Sequence, residues 1–177
     1  MGGDGRVIEN RATGERIVVR ASGRTTAGAV FAFDLFLAPR GHVPARHAHP
    51  GQEERFTVVS GRLRLRVGGR LLVAGPGETV VVPPGTGHWF ANPGPAVVHA
   101  RVEVRPALHL EDLFVRAGEI EARGLGPLAR LSDLAAMLLA FPDEITVPGV
   151  PGAVMRAGLT AMAALGRHRR AGPDGVA

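Results

Sequence analysis

Residues 41–61 read GHVPARHAHPGQEERFTVVSG, and their chemistry decides how the rest of the chain is read. His47 and His49 stand two residues apart. In an extended strand, side chains at i and i+2 leave the same face, so both imidazoles can converge on one point. Pro50-Gly51 then turns the chain, and the adjacent carboxylates Glu53 and Glu54 enter on the neighbouring strand. Neutral imidazoles with one carboxylate are a donor set that divalent first-row metals bind well. A second stretch, GETVVVPPGTGHWFAN at residues 77–92, brings one further histidine, His88. The pattern predicts a metal site of His47, His49, Glu54 and His88 inside a small β-barrel.

These two stretches resemble the paired motifs of the cupin superfamily. The first follows G(X)5HXH(X)3-4E(X)6G, with Gly41, His47, His49, Glu54 and Gly61 at every fixed place. The second follows G(X)5PXG(X)2H(X)3N, with Gly77, Pro83, Gly85, His88 and Asn92. Both match in full and in order, with fifteen residues between Gly61 and Gly77, and together they are far more specific than a lone HxH. The resemblance spans roughly residues 7–106. It implies an all-β jelly-roll barrel holding one metal ion through three histidines and a glutamate, and it carries no single activity, because cupins include dioxygenases, decarboxylases, isomerases, cyclases, storage proteins and sensors.

Glu53 and Glu54 both satisfy the distance from His49, but only Glu54 lies seven residues before Gly61, as the motif requires. Strand parity agrees. Glu54, Phe56 and Val58 share one face, whereas Glu53, Arg55 and Thr57 share the other, and an inward Arg55 beside a cation makes no electrostatic sense. By the same parity Phe90 lies with His88 and Trp89 points outward, while Asn92 fixes the following turn. Phe33, Leu35, Phe56, Leu65 and Phe90 are the expected substrate-binding walls of an apolar pocket, suited to an aromatic or otherwise apolar small molecule. His42, His99, His109 and His168 match no ligand position.

Residues 7–38 read as strands separated by turns, ending in AVFAFDLFLA, whose odd-numbered residues face one side and Asp34 the other. Leu63, Leu65 and Val67 alternate with Arg62, Arg64 and Arg66, as in a sheet with one solvated face. Gly68-Gly69 signals a hairpin, and residues 97–105 form the last strand of a barrel spanning 1–106. From residue 107 the texture becomes helical, with helices expected over about 109–123, 127–141 and 153–167. Leu131, Leu134, Leu138 and Phe141 form the apolar stripe of the second. This extension is expected to pack on the barrel, with a dimer contact as the alternative, and to end in a disordered tail around Arg167-His168-Arg169-Arg170.

Composition narrows the chemistry. The chain has 177 residues, no cysteine, no tyrosine and a net charge of +5, and every one of its 21 basic residues is arginine. Without cysteine there is no thiolate nucleophile or ligand. Without lysine there is no Schiff base or Walker-type phosphate loop. Ser22, Ser60 and Ser132 occupy no nucleophile elbow. Acidic residues are interspersed with the arginines and no basic recognition helix stands out, so nucleic acid is not expected as a partner. No secretory signal or run of about 18 apolar residues is present, which makes a cytoplasmic protein away from membranes the default. A metal is left as the carrier of any chemistry, one divalent ion of Fe, Mn, Ni, Co, Cu or Zn. The leading expectation is an oxygenase (an oxidoreductase of dioxygenase type) acting on a small-molecule substrate. A redox-neutral isomerase or cyclase, and a non-catalytic small-molecule binder, stand as alternatives, with a homodimer as a compatible assembly.

Overall fold

Among the described residues, nine strands and three helices follow one another, β1 Val7–Asn10, β2 Glu15–Ala21, β3 Phe31–Leu37, β4 Glu53–Ser60, β5 Leu63–Val67, β6 Arg70–Ala74, β7 Thr79–Val82, β8 His88–Ala91 and β9 Val98–Arg105, then α1 Leu110–Ala122, α2 Pro127–Ala140 and α3 Gly152–Arg170. This computed structural model describes residues 5–43 and 45–170, with side chains to residue 165. The backbone of residues 167–170, where a disordered basic tail is expected, continues α3 as helix, and the side chains there lie outside those described.

All strand pairs are antiparallel, in a six-stranded sheet of order β1-β2-β3-β9-β4-β7 and a three-stranded sheet of order β6-β5-β8. Alternation puts one face of each strand inside. Phe31, Phe33, Leu35 and Leu37 of β3, Phe56 and Val58 of β4, Leu63 and Leu65 of β5, and Val98, Ala100, Val102 and Val104 of β9 are all buried. The two inner faces meet in one apolar core, and the architecture is an all-β jelly roll with a C-terminal helical extension.

Two glycines of the motif stretch are dictated by contact. A Cβ on Gly41 would sit 2.7 Å from Leu37 Cδ1 and 2.9 Å from the Ala38 carbonyl oxygen. Gly61 combines a φ of 82° with a Cβ position 3.1 Å from Val98 Cα, so a side chain there would be both strained and crowded. Asn92 ties the far side together, donating through Nδ2 to the carbonyls of Leu37, Ala38 and Ala96 and accepting from Gly94 N–H through Oδ1. Its role is to hold turns, as its place in the sequence implies.

The helices continue the barrel core. Leu110, Leu113 and Ile120 of α1 and Met137 of α2 belong to the same buried cluster as the strands, and Leu134, Leu138 and Phe141 pack against it. Leu131, placed in that stripe by sequence spacing, is 46% exposed instead, and Met137 takes the inward place. α3 packs against α2 through a separate small cluster of Ala135, Leu159 and Ala163. Among the described residues, no helix is long and apolar enough to cross a membrane.

Candidate metal centre

The segment carrying His47 and His49 is extended but is not a full strand. His47 exchanges both backbone hydrogen bonds with His88, His47 N–H to the His88 oxygen at 3.0 Å and His88 N–H to the His47 oxygen at 2.7 Å. Ala48 is bridged in the same way to Thr146, in the loop after α2. This local pairing seats the first two imidazoles against the third: the ring centroids of His47 and His88 are 4.3 Å apart, those of His47 and His49 5.1 Å. One ring nitrogen from each of His47, His49 and His88 lies within 4.8 Å of the others.

The tautomers are set by the backbone. His47 Nδ1 lies 3.1 Å from the Ala45 carbonyl oxygen, His88 Nδ1 3.1 Å from that of Thr86, and His49 Nδ1 2.6 Å from that of Glu144. A carbonyl oxygen only accepts, so each Nδ1 carries the proton and each Nε2 keeps a lone pair for the centre. Backbone carbonyls thus orient all three rings as they do for metal-ligating histidines.

Glu54 reaches the same point from β4. It is buried, and its Oε2 lies 2.9 Å from His88 Nε2 and 3.9 Å from His49 Nε2. Neither Glu54 Oε2 nor His88 Nε2 has another hydrogen-bond partner among the described residues. A cation between these two buried atoms would satisfy both in place of a proton. With bonds of about 2.0–2.1 Å to nitrogen and oxygen, neighbouring donors around one ion sit about 3 Å apart. The donor set fits a divalent metal. Glu53, by contrast, faces outward beside Arg55, 3.3 Å from its guanidinium.

The electrostatics carry the same imprint. Burial, and then the neighbouring His88 and His49 rings, push His47 down to about 4, so it stays neutral. Burial alone would raise Glu54, but the His88 contact and the other imidazoles outweigh it and hold the carboxyl below its usual range. Burial would lower His88, yet its contact with Glu54 prevails and raises it. Without an ion, the site therefore favours a charged His88–Glu54 pair flanked by a neutral His47.

The centre opens into a cavity of about 260 Å³. Phe33, Leu35, Phe56 and Phe90 line it, together with His47, His49 and Glu54, and the Phe56 and Phe90 rings meet tilted at 58° with centroids 5.2 Å apart. Leu65 does not: it is fully buried in the smaller sheet, paired with Phe90 and Leu72, and belongs to the core. The remaining wall comes from α1 and α2, through residues such as Leu113, Phe114, Leu134 and Leu138. Trp89 faces away, under the Arg64 guanidinium 5.7 Å from its ring. His99 lies on the opposite face of the sheet, 3.2 Å from Asp34, and His42 is exposed.

Two contributors escape a reading of the motifs alone. One is Glu144, buried in the loop after α2, whose carbonyl holds His49 from 95 residues away. The other is Glu15, inward on β2 in register with Leu37 and on the cavity wall. The parity of Glu15, Ile17 and Val19 was the signal available for it.

The family model for the cupin domain matches residues 34–104. No curated protein matches the chain. Among solved structures, an RmlC-like cupin from Shewanella frigidimarina aligns at 19% identity and a TM-score of 0.52, over 63% of this chain and 92% of that one. A structure titled a predicted oxalate decarboxylase from Thermotoga maritima aligns at 16% identity and a TM-score of 0.50, over 52% and 80%. A sugar phosphate isomerase from the cupin superfamily, from Silicibacter pomeroyi, aligns at 24% identity and a TM-score of 0.47, over 59% and 68%. At such identities the likeness is one of fold. The matched domain and the jelly roll agree with the two complete motifs, and residues 34–104 form a cupin domain.

Proposed function

We propose that the chain is a metal-dependent cupin enzyme, binding one divalent transition metal through the Nε2 atoms of His47, His49 and His88 and the Glu54 carboxylate. In this reading it acts on a small apolar or aromatic molecule as an oxygenase. One observation carries it: three imidazoles with their Nδ1 protons tied to backbone carbonyls meet a buried carboxylate at the wall of an apolar cavity.

Three neutral nitrogens and one carboxylate leave one or two positions open on a five- or six-coordinate ion, the mark of a catalytic rather than a structural site. When bound, the ion would supply Lewis-acid polarisation and, if it is redox-active, electrons for dioxygen chemistry. Glu54 neutralises part of its charge, and the carbonyls of Ala45, Glu144 and Thr86 keep the imidazoles aimed. Phe33, Leu35, Phe56 and Phe90 exclude water and bind the apolar body of the substrate.

A second reading, a redox-neutral isomerase or cyclase, is favoured by one feature. Glu15 gives the same cavity a second carboxyl, and proton-moving chemistry needs a base beside the Lewis acid. The test is metal content of protein purified without added metal, followed by oxygen uptake with aromatic substrates. Uptake that depends on bound metal supports the oxygenase. A redox-silent metal with an isomerised product supports the second reading, and binding without turnover would overturn both.

A further inference from the structure

β2 turns Glu15, Ile17 and Val19 to one side, opposite Leu37, Leu35 and Phe33 of β3. Ile17 and Val19 are buried in the core, so the third inward position would be expected to be apolar as well. It is instead a carboxyl on the wall of the metal-site cavity. Burial holds Glu15 above its usual range, and the Glu54 charge adds to this, while the Thr13 hydroxyl and the more distant His42 oppose it.

Among the described residues, its one hydrogen bond is to Thr13 Oγ1, 2.6 Å from Oε2. No arginine pairs with it there. The one arginine on the cavity wall, Arg130, is engaged by Glu121. Half-buried on this wall, with Thr13 on one oxygen only, the carboxyl breaks the alternation that its own strand obeys. Such a group pays its way when a ligand supplies the missing donor.

We propose that Glu15 determines ligand specificity: the cavity takes an uncharged, largely apolar molecule bearing an O–H or N–H, and Glu15 accepts that hydrogen bond. Glu15 and the imidazoles line one cavity of about 260 Å³, slightly below the usual range of about 300–1,000 Å³ for ligand sites. A molecule that fills this cavity meets both. A ligand with an anionic group against β2 is rejected, because it would meet a carboxyl and no free cation. This inference rests on the reading of the same cavity as a metal-dependent site.

The experiment is calorimetric binding of benzyl alcohol, benzyl methyl ether and benzoate to zinc-loaded protein, with zinc per chain measured in every sample. The same set is run on metal-stripped wild type, on Glu15→Leu and on Glu15→Gln, the last keeping shape and an acceptor oxygen should the leucine variant fail to fold. The alcohol is expected to bind about tenfold or more tighter than the ether, the scale of a hydrogen bond to a charged group. That preference should vanish in Glu15→Leu and shrink in Glu15→Gln, with zinc content unchanged. If the wild type takes up no zinc but shows a preference that depends on Glu15, the metal reading fails and the Glu15 assignment stands. Full zinc with no alcohol preference overturns the assignment. So does a preference that survives both Glu15 variants and disappears only on stripping the metal, and so does the absence of measurable binding by any probe.

Discussion

Glu53 and Glu54 are the same chemical group one residue apart, and the strand sends them into different worlds. Glu54 is 4% exposed among imidazoles, whereas Glu53 sits outside beside Arg55. Removing the inner charge leaves three imidazoles without compensation around a divalent ion, so Glu54→Gln is expected to lose most of its bound metal. Glu53→Gln should keep its metal and cost less than about 0.5 kcal/mol. Metal per chain in the two variants purified side by side decides it, and equal contents would contradict the Glu54 role. On the opposite face, Asp34 is buried beside Arg20 at 2.6 Å and His99 at 3.2 Å. Burial alone would raise its pKa, but His99 and Arg20 outweigh it and lower the value. A carboxyl depressed by folding adds stability that is complete above its unfolded value and is lost as pH falls through the folded one. Asp34→Asn should therefore cost about 1–3 kcal/mol at neutral pH, and the gap to wild type should close in strong acid. Urea melts across the acid range would show this; a gap that is independent of pH would refute it.

At the scale of elements, the metal set is local while the cavity is not. β4, β8 and the extended segment at His47 carry the candidate ligands, but α1 and α2 close the wall over them. Phe114 of α1 lies edge-on to Phe31 and Phe33, with centroids 6.0 and 5.8 Å away. Phe114→Ala should cost about 3 kcal/mol and widen the cavity, leaving metal content unchanged. Thermal melts, metal content and the uptake of a larger apolar probe would check all three effects together. This division explains what could be read from residues alone. The place of Glu54 follows from strand parity, a period-two rule that needs no partner, and so do the walls Phe33, Leu35, Phe56 and Phe90. Leu65 obeys the same parity yet misses the cavity, because it sits on the central strand β5 between Leu72 and Phe90, and only that pairing decides what it faces. Glu15 does not stand out in the sequence because Ile17-Val18-Val19 reads as a plain apolar run, and the register with β3 is what places it beside Leu37. Leu131 shows the helical counterpart of this: spacing defines a stripe, but its centre depends on the surface it meets, which here favours Met137. The Glu144 contribution was invisible for a different reason, since a backbone carbonyl carries no residue-specific signal.

Across the whole molecule, one buried cluster runs from the strands into α1 and α2, whereas α3 touches it only through α2. That asymmetry predicts different outcomes for two truncations. A chain ending at Arg105 would lose Leu110, Leu113 and Ile120, each contributing about 1.5–3 kcal/mol when fully buried, and would bare the cavity wall. It would also lose the Glu144 carbonyl that orients His49 and the Thr146 bridge to Ala48. Such a chain should aggregate or melt far below the full protein and bind metal poorly. A chain ending at Val150 keeps α1, α2, Glu144 and Thr146, and gives up Leu159 and Ala163 of the small cluster with the Ala163 carbonyl that accepts from the Ser132 hydroxyl. It should hold the same metal per chain and melt somewhat lower, with a tendency to associate through the uncovered face of α2. Melting temperature, metal content and sedimentation of the two chains test the division. If the Arg105 chain stayed monomeric, kept its metal and melted like the full protein, the helices would be an independent appendage. The cavity wall assigned to α1 and α2 would then have to be withdrawn with it.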